Sequence, residues 1–361
     1  MQSLKSNALE PTRSELATLS RGQAILRVLP IYGLPILTLL LIGFFSLLLP
    51  ESFPTAINAR SILSDKGIIA LLSLAAMVPM MAGRIDLTIG FGIVMWHILA
   101  ITLQVQYHFP WPIACLVVIL CGGLSGLING FLVEVAQIDS FIATLGTGTI
   151  LYALALWHTD GRQVIGTLPQ GFVNINGLSV LSVPMPAVYA LVLAVALWIV
   201  AERMPLGRHI YAIGANEKAA ALNGIPVRAY VIGVFVASGL LVGFTGCVLA
   251  SKLQIGQANV GLDYLLPALV GTFLGSTTIR PGRVNVWGTI IGVLILAVGI
   301  SGIQQLGGAF FVEPLFNGIT LLVSIALAGF AQRRRSVTRR TPPVTSAEPA
   351  RNLTATSDTQ V

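Results

Sequence analysis

Long apolar runs, separated by short polar segments, make up most of this chain. The first run extends from Ile31 to Leu49 and is long enough for a helix to cross a hydrocarbon core about 30 Å thick. The pattern predicts an all-α polytopic membrane protein with about ten transmembrane helices. The runs at 186–201 and 264–279 are short for a straight crossing, so we expect broken or tilted helices there. The nine later runs are 67–83, 87–106, 112–133, 141–157, 186–201, 230–250, 264–279, 286–306 and 313–331.

The composition excludes an ordinary soluble domain. Of the 361 residues, 55% are hydrophobic and 10% are charged, whereas a soluble domain carries about 25% charged residues. Residues 1–30 are polar and basic and are predicted to form a cytoplasmic N-terminal segment. Residues 31–332 form the predicted transmembrane domain. Residues 333–361 are rich in Arg, Thr, Pro, Ser and Ala, which predicts a disordered basic cytoplasmic tail.

The net charge of +7 is explained by membrane orientation. Ten crossings leave both termini on the same side of the membrane. If that side is the cytoplasm, the inner segments hold 17 of the 21 Lys and Arg residues, as the positive-inside rule expects. The excess of basic over acidic residues therefore does not indicate a nucleic-acid partner. The four outer basic residues are Arg60, Lys66, Arg162 and Lys252.

Glycines recur at four-residue spacing in three of the apolar runs. Such rows let helix backbones approach closely in lipid, so we interpret them mainly as packing contacts and secondarily as mobile helix interfaces. The rows are Gly122, Gly126 and Gly130; Gly239 and Gly243; and Gly288 and Gly292.

Charged residues are missing between the assigned ends of the apolar runs. His97 is the sole titratable side chain there apart from thiols and phenols, and it lies next to Trp96. Carriers driven by ions commonly place acids or bases at this depth. A phosphate-binding GxxxxGK[ST] loop is also absent from the sequence. The chain is therefore predicted to be a passive channel or to use energy supplied by another subunit. Trp96 and His97 are both interpreted as part of the packed core. The alternative for Trp96 is an aromatic face on which a sugar ring stacks.

The basic inner loop at 202–228 contains a predicted short helix outside the membrane. Its middle, 216–222, is rich in alanine, Asn216 can cap it, and Glu217 lies in its first turn. Gly224 and Pro226 then end it. The helix is either a simple surface helix or a docking element for a cytosolic partner.

Four ordered motifs resemble the permease subunits of ribose-type and related monosaccharide ABC importers of bacterial inner membranes. They are GRIDLTIG at 83–90, IATLGT at 142–147, Gly161-Arg162, and the loop from Gly207-Arg208 through YAIGANE to Gly224-Ile225. The resemblance covers roughly 60–332.

The resemblance implies a multi-pass inner-membrane permease of about ten helices in 31–332, built of two related five-helix halves. It implies a second permease copy, in a homodimer or heterodimer, with two cytosolic ABC ATPase subunits, a periplasmic sugar-binding protein and the membrane lipid as further partners. This chain would then be no enzyme and would bind no cofactor, since the partner subunit would use the ATP. The residues expected to couple to the ATPase are Gly214, Ala215, Asn216, Glu217, Ala219, Ala220 and Gly224.

The first motif departs from the family pattern at Arg84, which replaces a glycine. We expect Arg84 to pair with Asp86 or with a neighbouring subunit. Asp86 is interpreted as the cap of the third span or as part of the substrate path. No metal site is predicted. The substrate-path candidates are Asp86, Trp96, His97, Asn129, Thr144 and Thr147.

The favoured function is thus import of a neutral sugar or polyol, driven by ATP hydrolysis on a separate subunit and coupled through 214–224. Pentose, hexose, tetritol and inositol all stay open as cargo. The alternative is an ion-coupled secondary carrier for a small neutral solute. A membrane-embedded enzyme would need clustered catalytic groups, whereas the histidines are scattered over different segments. They are His97, His108, His158 and His209.

Overall fold

Each of the ten apolar runs overlaps a helix in the structure, a computed structural model that describes residues 21–309 and 311–338. The N-terminal segment up to residue 20 and the tail from residue 339 lie outside the described residues. The long helices are α1 (Arg21–Leu48), α2 (Ala56–Met81), α3 (Thr88–Val105), α4 (Trp111–Glu134), α5 (Ser140–Thr159), α7 (Met185–Arg203), α10 (Val227–Leu253), α11 (Leu262–Gly275), α12 (Val286–Gln305) and α13 (Val312–Thr338).

The remaining elements are short and lie in the connections. Strands β1 and β2 pair antiparallel, with Ser179 opposite Pro184. An isolated bridge between Val164 and Gly256 joins two connections at the same end of the bundle. The short elements are α6 (Gln170–Gly177), β1 (Ser179–Val180), β2 (Val183–Pro184), α8 (Pro205–Ala215) and α9 (Glu217–Leu222).

Seven of the helices in the described part of the chain are long and apolar enough to cross a membrane: α2, α3, α4, α5, α7, α10 and α12. Three shorter apolar stretches, Tyr32–Leu48, Leu262–Gly275 and Val312–Ala326, coincide with the other three apolar runs. The fold is therefore all-helical and multi-pass, while the count of ten crossings stays a prediction. Helix α7 is continuous, so the expected irregularity at 186–201 is not a break, while a tilted crossing stays a prediction. Helix α11 has 14 residues, about 21 Å, and is indeed short.

Several helices extend past the apolar runs and carry charged residues. Helix α2 begins at Ala56 because Thr55 caps it, with its hydroxyl oxygen accepting from the Asn58 N–H at 3.1 Å. Asp65 and Lys66 therefore lie on this helix, although they precede the apolar run at 67–83, which itself holds no charged residue. The helix tolerates these charges because the side chains form ion pairs. Helix α13 likewise continues to Thr338, past the expected start of the tail at 333.

The glycine rows lie where helices approach most closely, which confirms their packing role. A Cβ atom added at Gly239 of α10 would overlap the Gly122 carbonyl of α4, and one at Gly126 would overlap the Phe235 carbonyl. On the third row, Gly292 of α12 meets the backbone of α11 in the same way. Helices α2, α3 and α10 form the buried centre of the bundle, while α1, α5 and α7 expose apolar side chains on their outer faces.

Helices α8 and α9 define one end of the bundle, which we call the α9 end. Gly214 at the close of α8 packs against the Met81 carbonyl at the end of α2, where a Cβ would have no room. The Tyr211 hydroxyl donates to the Val284 carbonyl at 2.9 Å, and the Arg283 guanidinium stacks on the Tyr211 ring at 3.3 Å. These contacts fix α8, an element that the sequence analysis missed, against the connection between α11 and α12.

Candidate functional site

A buried polar network surrounds Asp86 in the connection between α2 and α3. One carboxylate oxygen accepts from the Thr88 N–H at 2.9 Å and from the Thr88 hydroxyl. The other accepts from the Ser238 hydroxyl of α10 at 2.9 Å. Asp86 thus caps the first turn of α3, as the capping interpretation expected, although α3 formally begins after Leu87.

The Asp86 side chain is only 2% exposed. Burial raises the pKa of this carboxyl above its usual value, although the hydrogen bonds from Thr88 and Ser238 act in the opposite direction. The network is therefore a place where a proton can reside on the chain more readily than on an exposed aspartate.

Three further path candidates extend this network onto α4 and α5. The Asn129 amide donates to the Thr88 hydroxyl oxygen at 3.2 Å and accepts from the Thr147 hydroxyl at 2.5 Å. The Thr144 hydroxyl oxygen accepts from the Leu87 N–H at 3.0 Å. Asp86, Asn129, Thr144 and Thr147 therefore meet at the start of α3, held from α4 and α5. Thr88 bridges Asp86 to Asn129, which bonds to Thr147, while Thr144 holds the backbone before α3. With Ser238 of α10, the network joins four helices.

The other two path candidates lie apart from that network, further along α3. The His97 ring accepts from the Gln257 N–H through Nε2 at 3.3 Å, so the other ring nitrogen donates to the Ile93 carbonyl at 2.9 Å. Trp96 is buried in the main hydrophobic cluster and lies against Gly246 of α10. Both side chains occupy the packed core.

Arg84 joins three elements at the α9 end. Its Nη2 lies 2.9 Å from the Glu134 carboxylate at the end of α4 and 2.9 Å from the Glu217 carboxylate at the start of α9. The expected pairing with Asp86 was therefore wrong, because Asp86 is already bonded to Thr88 and Ser238. Glu134 is almost fully buried, so its charge requires this partner.

The predicted short helix is present as α9, Glu217–Leu222. The Asn216 side chain accepts from the Ala219 N–H at 3.0 Å, and Gly224 follows with φ of 80°, so the predicted cap and the predicted end are both found. The local sequence sufficed here because both signals act within one turn of the helix.

The expected coupling residues do not share one face. Ala215 and Ala219 are exposed, whereas Ala220 is 4% exposed and packs inward, and Gly214 lies against α2. The sequence analysis missed Leu222, whose side chain is 89% exposed at the end of α9. A large apolar residue closing an alanine-rich surface helix was the signal that could have revealed it.

Clusters suited to a metal ion, with three or more His, Cys, Asp or Glu side chains together, are not found in the described residues. Near α9, the carboxylates of Glu134 and Glu217 are paired with Arg84 instead. A bundle of apolar helices, a buried polar network and an exposed capped helix at one end together define a multi-pass helical membrane protein.

Comparisons with known proteins identify the family within this class. Residues 58–328 match the family described as the branched-chain amino acid transport system / permease component. The chain is 29% identical over 296 residues to the D-allose transport system permease protein of Escherichia coli K12, covering 82% of this chain and 90% of the relative. It is 32% identical over 294 residues to the ribose import permease protein of Bacillus subtilis, covering 81% of this chain and 91% of the relative.

A ribose import permease protein from Haemophilus influenzae is 30% identical over 291 residues, covering 80% of this chain and 89% of the relative. No solved structure matches the chain. The chain therefore belongs to this permease family and is a multi-pass inner-membrane protein. The resemblance to ABC importer permeases noted from the motifs is confirmed.

Proposed function

We propose that this chain is the transmembrane permease subunit of an ATP-driven importer for a neutral sugar or polyol. A separate cytosolic ATPase subunit docks on α9 and hydrolyses the ATP, and this chain binds no cofactor. The observation that carries the proposal is the contact of Arg84 with Glu217, which ties the exposed helix α9 to the connection that precedes α3. The printed names of the relatives, D-allose and ribose permeases, support the cargo class.

The docking surface consists of Ala219 and Leu222 on the exposed side of α9. A small residue beside a protruding apolar one suits insertion into a groove of a partner protein. The inward side of the same helix, at Ala220, packs against the bundle. A movement imposed on α9 by the ATPase is thus transmitted into the bundle rather than absorbed by a loose loop.

Arg84 then passes the movement to the transport helices. It is two residues from Asp86, whose hydrogen bonds hold the start of α3 against α10. Its second partner, Glu134, lies at the end of α4, five residues beyond Asn129 of the same network. A displacement of α9 therefore acts through Arg84 on the joint between α3, α4, α5 and α10.

The remaining partners follow from the exposed surfaces. At the end opposite α9, Asp160 and Arg162 lie exposed in the connection after α5, where a periplasmic binding protein would deliver its solute. The exposed apolar faces of α1, α5 and α7 would meet membrane lipid or a second permease copy. We expect a dimer, of identical or related chains.

The proposal is tested by reconstituting the complex in proteoliposomes with the ATPase subunit and the binding protein. Uptake of a neutral sugar should require ATP hydrolysis and should stop when the ATPase carries an inactive nucleotide site. Uptake by this chain alone, without nucleotide, would contradict the proposal.

An ion-coupled carrier is the second candidate, and the buried carboxyl of Asp86 favours it. A buried aspartate whose pKa is raised can take up and release a proton during transport. A protonophore distinguishes the two mechanisms. With ATP held constant inside the vesicles, uptake should continue in the ATP-driven importer and collapse at once in the proton-coupled carrier.

A further inference from the structure

A cavity of about 530 Å³ lies between α2, α11, α13 and the connection from α10 to α11. Its volume is within the range of small-molecule sites, about 300 to 1,000 Å³. Lys66 on its wall is about 22 Å along α2 from Met81, so the cavity lies well away from the α9 end. Its polar lining comprises Asp65, Lys66, Lys252, Asp263, Glu313 and Asn317.

The charges around this cavity largely compensate one another. Lys252 pairs with Asp65 at 2.6 Å, and Lys66 pairs with Glu313 at 3.0 Å. Asp263 is exposed at the first turn of α11 and forms no ion pair within the described residues. A lining of paired charges offers both donors and acceptors while producing little net field, which suits a polar but uncharged solute better than an ion.

Asn317 of α13 supplies the independent observation that points to a ligand. Its side chain is 3% exposed and lines the cavity, and its amide oxygen has no hydrogen-bond partner among the described residues. A buried polar oxygen without a partner is costly, and such groups in native proteins normally have one. A hydroxyl group of a bound solute would supply the missing donor.

We propose that this cavity binds a neutral polyhydroxylated solute, whose hydroxyl groups donate to the Asn317 amide oxygen and to the carboxylates of Asp263 and Glu313. The inference rests on the proposed function and deepens it by assigning residues to the solute within this chain. The Lys66 ammonium, already paired with Glu313, donates to a solute hydroxyl oxygen. The Tyr264 ring lines the same cavity and offers an apolar surface to the C–H groups of the solute.

The test measures equilibrium binding of radiolabelled D-ribose and D-allose to the full-length permease in lipid nanodiscs, without ATPase or nucleotide. At least one sugar should bind. The substitution Asn317→Leu should weaken that binding about tenfold, since it removes an acceptor from a buried site. The matched control is Asn176→Leu on α6, because the Asn176 amide oxygen also lacks a partner within the described residues but lies outside the cavity. This control should bind sugar as the unaltered chain does.

The variant Asp263→Ala keeps the test decisive if Asn317→Leu does not fold, because Asp263 is exposed. It should weaken binding severalfold while thermal unfolding stays unchanged. The proposal is overturned if the unaltered chain binds neither sugar up to about 10 mM, or if Asp263→Ala binds as tightly as the unaltered chain. It is also overturned if D-glucosamine, which carries an ammonium group, binds more tightly than the neutral sugars.

Since the assay contains no ATPase, its outcome is independent of ATP-driven transport. Sugar binding without ATP-driven uptake in the reconstituted complex would refute the proposed function and leave this binding site supported.

Discussion

The guanidinium of Arg84 contacts the carboxylate of Glu217 at 2.9 Å, although 133 residues separate them in the chain. The same guanidinium nitrogen holds Glu134 at the same distance. The two contacts differ in their surroundings, because Glu217 is about half exposed and Glu134 is almost fully buried. Glu134 therefore anchors Arg84 to the bundle, while Glu217 is the partner that can move with α9.

The substitution Glu217→Gln should uncouple ATP hydrolysis from transport while leaving the fold intact. An ion pair this exposed contributes at most about 1 kcal/mol, so the thermal unfolding temperature should change little. The number of sugar molecules taken up per ATP hydrolysed in proteoliposomes should fall severalfold. The control is Arg208→Gln, an exposed basic residue on the neighbouring helix α8, which should behave as the unaltered chain does. Equal coupling ratios for Glu217→Gln and the unaltered chain would rule out the role given to this contact.

The two sides of α9 should respond differently to an added charge. Leu222→Asp should weaken association with the ATPase at least tenfold without loss of stability, because the side chain is exposed and would be buried on docking. Ala220→Asp should instead lower the unfolding temperature, because a carboxylate cannot be accommodated at an inward position without a partner. Both effects are measured by copurification with the ATPase and by thermal unfolding in detergent.

The control for this pair is Leu181→Asp. Leu181 is 94% exposed in the turn between β1 and β2, far from α9, and its substitution should leave ATPase association unchanged. If Leu222→Asp associates with the ATPase as Leu181→Asp does, Leu222 is not part of the docking surface.

Close approach of α4 and α10 depends on glycine at particular positions. Gly239→Ala should destabilise the protein by about 1 to 3 kcal/mol. The added methyl group would overlap the backbone of Gly122, so α4 and α10 would have to move apart. Gly233→Ala, on the same helix, has no atom within 4 Å of the added Cβ and should be neutral or stabilising by up to about 1 kcal/mol. Reversible unfolding of both variants in the same detergent gives the comparison. Similar losses in both would contradict the packing account.

The features predictable from the sequence are those decided by neighbouring residues. The cap at Asn216 and the glycine rows each depend on spacings of three or four residues, and both were found. The partners of Arg84 were missed because they lie 50 and 133 residues away and depend on how helices assemble. Ser238 gave no signal either, since a lone serine in an apolar helix is unremarkable until Asp86, 152 residues away, lies against it.

The cavity near Asn317 was missed for a different reason. Part of its charged lining lies outside the apolar runs but on helices, as with Asp65 and Lys66 before the run at 67–83. Thr55 starts α2 a full three turns earlier by capping it, which places these side chains on the bundle. Hydropathy averages over a segment, whereas an individual charged residue can lie on a bundle helix when it forms an ion pair, as Lys66 does with Glu313.

The substitution Asp86→Asn should preserve ATP-driven uptake and should change how stability depends on pH. The amide oxygen still accepts from Thr88, and the amide nitrogen can donate to the Ser238 hydroxyl, so the joint at the start of α3 is kept. Because burial raises the pKa of Asp86 above 3.8, the native state holds this proton more strongly than the unfolded chain does. The unaltered protein therefore loses stability as pH rises above about 4, and the asparagine variant does not.

As pH rises from about 4 to the folded-state pKa of Asp86, the asparagine variant should therefore become increasingly more stable than the unaltered protein. Thermal unfolding across that pH range measures the difference. Asp86→Leu, which leaves the Thr88 N–H and the Ser238 hydroxyl without this acceptor, should be destabilised by about 1 to 3 kcal/mol at every pH. If Asp86→Asn folds normally but loses all uptake, protonation of Asp86 is part of transport. The proton-coupled mechanism would then replace the ATP-driven one, because an amide preserves the hydrogen bonds of this site and cannot exchange a proton.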